Sequence, residues 1–95
     1  MQHTAIIGVG LPPVDITFNC SDPTKSVSGT YGPGTYTDPD SCASSFLSAT
    51  VAGVTIDAGN SANVQIGPLT AVATVETTDQ GRHITVNVEL YVGGK

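Results

Sequence analysis

His3 and His83 are the two imidazoles of the chain, and any catalytic reading starts from them. A Ser-His-acid arrangement needs a histidine held between a nucleophile and a carboxylate. His3 lies beside the first residue and His83 opens an alternating segment next to Arg82, so both read as solvent-facing side chains. No Gly-x-Ser-x-Gly elbow, Cys-x-x-Cys, His-Glu-x-x-His or phosphate-binding glycine loop occurs. The carboxylates are scattered through turn-rich stretches, not paired as glycoside hydrolysis requires. The expectation is a non-enzymatic protein with no catalytic residues and no cofactor.

Cys20 and Cys42 allow a single pairing. The competing reading is two buried free thiols, since a metal site needs more Cys and His partners than lie nearby. A bridge would close a loop of 23 residues, counted inclusively, and add roughly 3 kcal/mol on the chain-entropy model. Asp22, Asp38 and Asp40 lie in the loops flanking the expected disulfide, and two of them stand in Asp-Pro-Asp. Oxygen-rich loops can hold Ca²⁺, but Asp-Pro is also ordinary turn chemistry, and no EF-hand loop supports the ion. No metal is expected, with these three aspartates as weak calcium candidates. Asn19-Cys20-Ser21 matches a glycosylation pattern whose central residue is the cysteine expected to be paired, and chance explains it better.

Contact chemistry is the remaining possibility. Tyr31 and Tyr36 sit on a Gly/Pro-rich loop at 29–41, where a ring offers amphipathic area at modest entropic cost. In a chain with so few aromatics, both rings can equally fold back over the core. Residues 4–11 are apolar and uncharged, so Ile6, Ile7 and Val9 can serve strand addition to a neighbouring subunit. The bland alternative is that 4–11 is simply the first strand of the domain. Gly34-Thr35-Tyr36-Thr37 is similar to a stretch in bacterial fimbrial subunits, which use such arms. The cysteine spacing differs, however, and Asp-Pro-Asp follows, so no family is assigned.

Charge narrows the partners. Three basic residues face eight acidic ones, for a net charge of −5. Nucleic acids and anionic membranes attract clustered Lys and Arg, and no cluster is present. Membrane insertion is not expected either, because no apolar run approaches spanning length. Charged residues make up 12% of the chain, about half the usual share, while Thr, Val, Ser and Gly dominate. That composition leans to strands and turns, and to an extracytoplasmic module that is secreted, on a cell surface or in a virion.

The elements that position these residues follow from periodicity. Val14, Ile16, Phe18 and Cys20 alternate with Asp15, Thr17 and Asn19, which places Cys20 on the core side. Ala5, Ile7, Val9 and Leu11 can share one face. Lys25–Tyr31 reads as a short strand, whereas four Gly and Pro residues between 32 and 39 argue against a long regular element. Leu47, Ala49 and Val51 are expected to face inward, and Ala52-Gly53 to form a tight turn or bulge. Another strand spans Asn63–Ile66. Leu69–Thr77 and the alternation Ile84, Val86, Val88, Leu90, Val92 form a hairpin around Thr78–Gly81, one face aliphatic and one polar.

These signals predict one all-β domain over 1–95. The expected architecture is an immunoglobulin-like antiparallel β-sandwich of about seven short strands, with a small β-barrel as the alternative. The expected function is a structural or adhesion module of a cell surface, fimbria or phage particle. It would bind a protein partner, copies of itself included. The alternatives are a small secreted binding or inhibitor protein presenting the 29–41 loop and, more remotely, an accessory domain of a larger secreted enzyme.

Overall fold

Val14, Ile16, Phe18 and Cys20 all point into the core, and Asp15, Thr17 and Asn19 lie on the outer face of the same strand. That strand anchors one of two sheets in the computed structural model, which describes residues 2–39, 42, 46–78 and 83–92. Among the described residues there are nine strands: β1 Gln2–Ile7, β2 Val14–Cys20, β3 Val27–Tyr31, β4 Gly34–Pro39, β5 Phe46–Val51, β6 Val54–Asp57, β7 Ser61–Ile66, β8 Leu69–Thr78 and β9 His83–Leu90. The five-stranded sheet runs β4-β1-β9-β8-β7 and the four-stranded sheet β3-β2-β5-β6. Their inner faces share one core of small and β-branched side chains, with Phe18 the largest fully buried residue. This is an all-β sandwich and not a closed barrel.

Several local expectations are corrected. The described residues hold nine strands instead of about seven, and among them β1 pairs parallel with β9 while every other pairing is antiparallel. The extra strand includes β4, in the Gly/Pro stretch read as irregular. It survives there because it is an edge strand, where Gly34 can open and Pro39 can close a ladder. β1 is shorter than the 4–11 segment and lies between β4 and β9, so Ile7 is buried while Val9, beyond the strand, is 85% exposed.

Leu47 is 55% exposed, against the expectation that it faces inward. The β2–β5 register shifts at Asn19/Cys20, so that Cys20 faces Phe46 and Asn19 faces Ser48. Leu47 is the extra residue of a bulge; Ala49 and Val51 face the core as expected, and Phe46 packs against it in place of Leu47.

His3 is also corrected: it is 3% exposed, and its ring sits 4.4 Å from Phe18. This contact crosses from β1 in one sheet to β2 in the other. His83 is half-buried, its Nε2 2.7 Å from Thr4 Oγ1, which also lies 3.0 Å from Thr37 Oγ1. The outer face of the four-stranded sheet carries a similar polar lacing. Thr30 donates to Asp15, Thr17 pairs with Ser28, and Asn19 donates to Ser48 and Thr50. Cross-strand pairs of this kind stabilise the sheet.

The Ala52-Gly53 turn has φ of 50° and 87°, both left-handed, as a two-residue hairpin of the primed type requires. The Thr78–Gly81 turn falls largely outside the described residues.

Candidate contact site at the charge-free end

Strand registers sort the connecting segments to two ends of a body measuring 39 × 22 × 20 Å. Gly34 pairs with Ile7, Tyr31 with Val14, Ile66 with Leu69, and Val51 with both Ile16 and Val54. The segments 8–13, 32–33, 52–53 and 67–68 therefore gather at one end, together with Tyr91 and Val92. None of these residues is charged. The opposite end carries Gln2, the Cys20–Cys42 bridge and the short 3₁₀ turn Pro23–Lys25.

The apolar residues of the charge-free end are held in place by the backbone. Gly8 N–H donates to the Val88 carbonyl at 2.8 Å, so the chain leaves β1 still tied to β9. Gly10 has φ of +90°, a conformation that favours glycine, and the reversal lifts Val9 outward. Tyr91 N–H donates to the Thr70 carbonyl at 2.9 Å and fixes the other side of the patch. Leu90, Tyr91 and Val92 are all exposed, Val92 to 82%. The alternation predicts Leu90 and Val92 on the aliphatic inner face of the hairpin, and both are exposed instead. Alternation reports which way a strand residue points, but not whether a second sheet still lies above it. Val9 was the one residue of this patch among the contact candidates; Leu90, Tyr91 and Val92 were missed.

The other candidates lie elsewhere. Ile6 is half-buried on the outer face of the central strand β1. Tyr31 and Tyr36 join the edge strands β3 and β4 of the two sheets. Their ring centroids lie 5.1 Å apart, both rings pack against the core, and the Tyr36 hydroxyl donates to the Gly32 carbonyl at 3.0 Å. Burial, with the charge of Asp38 adding, holds the Tyr31 phenol above its ordinary pKa. The rings thus face inward as a cover for the sandwich edge.

Tyr31 also lies over Gly29, where a Cβ would come within 2.7 Å of its hydroxyl oxygen and 2.8 Å of Cζ. Gly29→Ala is therefore expected to unseat the Tyr31 ring. In urea denaturation, Gly29→Ala with Tyr31→Ala should cost less than the two single changes summed, by about 1 kcal/mol. Strict additivity would show that the ring tolerates the methyl group where it stands.

Cys20 and Cys42 form the expected disulfide, with Cα atoms 5.5 Å apart. It joins the end of β2 to the chain that connects β4 with β5. Asp22 caps the 3₁₀ turn, accepting from Thr24 N–H at 3.0 Å and from the Thr24 hydroxyl at 2.7 Å, and these bonds lower its pKa. Asp38 is exposed on β4, and Asp40 lies outside the described residues. Among the described residues, no group of three or more His, Cys, Asp or Glu side chains is placed to hold a metal ion, and no helix is long and apolar enough to cross a membrane. Comparison with known protein families, characterised proteins and solved structures finds no significant match.

Proposed function

We propose that this chain is a non-enzymatic structural or adhesion module of a cell surface, fimbria or phage particle, acting through protein–protein contacts. The observation that carries this reading is the set of exposed apolar residues Val9, Leu90, Tyr91 and Val92. Large exposed apolar side chains gathered at one place on a small domain mark a contact surface. The cystine supports an extracytoplasmic setting, because such bridges persist where the surroundings are oxidising. The alternative of a small binding protein presenting the 29–41 loop draws less support, since Tyr31 and Tyr36 turn their rings toward each other and the core.

The test uses the chain in the cells or particles that make it. Alkylation without reduction should leave both cysteines unmodified in the surface or particle fraction. Formaldehyde cross-linking should carry the chain into bands of higher mass. A cytosolic monomer with two alkylated thiols would overturn the proposal.

A further inference from the structure

We infer that the Asp38–Pro39 bond is a self-cleavage site, at which mild acid divides the chain into two half-sandwiches that the cystine keeps joined.

The strand order shows where the fold divides. Residues 2–39 hold β1 to β4, and residues 46–92 hold β5 to β9. In the five-stranded sheet the first group forms the adjacent pair β4-β1 and the second the run β9-β8-β7. In the four-stranded sheet they form β3-β2 and β5-β6. Each sheet thus consists of one N-terminal and one C-terminal block, meeting along the β1–β9 and β2–β5 ladders. Two covalent links cross this seam, the chain that leaves β4 and the Cys20–Cys42 bridge. Asp38 and Pro39 end β4, both exposed, where the first of these links begins.

An aspartyl–prolyl bond carries its own reagent. The protonated carboxyl of Asp38 closes on the Asp38 carbonyl carbon to form a five-membered cyclic anhydride, an attack favoured by proximity. The carboxyl proton passes to the Pro39 nitrogen, the C–N bond breaks, and the amine leaves with the bonding pair. Water then opens the anhydride, so one water is consumed and the new ends are a carboxyl at 38 and an amine at 39. Proline suits the leaving position because its nitrogen has no N–H, so no ladder bond ties it to β1. The reaction draws on the protonated acid and therefore belongs to about pH 4 and below, where carboxyls in general take up their proton.

The fold selects this bond over Asp22–Pro23, the other Asp-Pro pair of the chain. Asp22 accepts from the Thr24 N–H at 3.0 Å and from the Thr24 hydroxyl at 2.7 Å. These bonds hold its carboxyl on Thr24 and favour the charged form, which does not react. Among the described residues no such cap holds Asp38. The titratable groups around it are His3, opposite on β1, and Tyr31, on β3, with Asp40 following Pro39 in the sequence.

Mass spectrometry of the oxidised protein held at about pH 4 and at about pH 7 tests the inference. In acid the unreduced mass should rise by one water, and reduction should then release fragments 1–38 and 39–95. The unreduced product should keep its β-sheet circular dichroism, because both ladders across the seam survive the cut. Asp38→Asn should abolish the cleavage and Asp38→Glu should slow it, since its ring is one atom larger, whereas Asp22→Asn should leave it unchanged. In urea at the same acidity the cut at Asp22–Pro23 should appear as well, because unfolding removes the cap. Native protein that stays intact in acid, or is cut equally at both bonds, would overturn the self-cleavage site, as would cleavage that persists in Asp38→Asn. Loss of the β-sheet signal on cutting would overturn the division into two half-sandwiches.

Discussion

Phe18→Ala is expected to lower the stability of the protein by about 3–5 kcal/mol, the cost of deleting a fully buried ring from a core that cannot close around the gap. Phe18 is 1% exposed and is the largest side chain in the core, whose other members are chiefly Val, Ile and Ala. Its neighbours are too short and too stiff at χ1 to reach into the vacated space. It also carries the ring contact with His3 that joins the two sheets. Thermal unfolding gives the readout, since each kcal/mol corresponds to roughly 4–8 °C in a domain of this size. Phe18→Leu keeps much of the volume and should lose less. Phe18→Ala combined with His3→Ala should cost less than the sum, because both changes remove the same contact. A loss below about 1 kcal/mol for Phe18→Ala would mean that the core collapses around the site.

Opening the Cys20–Cys42 bridge is the second large effect. Replacing both cysteines by serine is expected to cost about 3 kcal/mol, through the entropy regained by the unfolded chain once the loop is released. Cys20 and Cys42 are both buried, so two serine hydroxyls placed there can only add to the cost. The midpoint of urea unfolding should fall, and the slope should rise as the unfolded chain becomes less compact. Reduction of the native protein provides the same comparison with no mutation. Midpoints that coincide with and without reductant would show that the bridge adds nothing to the folded chain.

The features that were legible in the sequence are those fixed by two-residue periodicity over an unbroken strand. β2 and β9 are such strands: Val14, Ile16 and Phe18, and then Ile84, Val86 and Val88, all face inward as their alternation requires. Ala52-Gly53 was legible because a two-residue hairpin demands left-handed backbone at both positions. Leu47 was not, because a bulge shifts phase by one residue and is created by the pairing partner, not by local composition. β4 was hidden by its Gly and Pro residues, which weaken a central strand but are tolerated at an edge.

His3 was misread for a related reason. Nearness to a terminus usually means fraying, but here the parallel ladder from Gln2↔His83 to Ile7↔Val88 holds β1 in the middle of a sheet. At the contact site the same limit applied. Leu90 ends β9 and Val92 lies beyond it, both exposed where the alternation predicts an inward face, and no local pattern marks where a core stops.

The parallel pairing of β1 with β9 has a consequence for load. Gln2 lies at the cystine end and Leu90 at the other, so tension applied to the two flanks of the domain pulls the adjacent strands in opposite directions. The six paired positions between them are then loaded together along the strand axis, and the ladder must slide as a unit before it can part. An antiparallel hairpin pulled from its open end gives way one rung at a time. In this sandwich the ladder that bears a pull is thus the one that closes the fold, and the cystine keeps the 20–42 segment from extending even after that ladder yields.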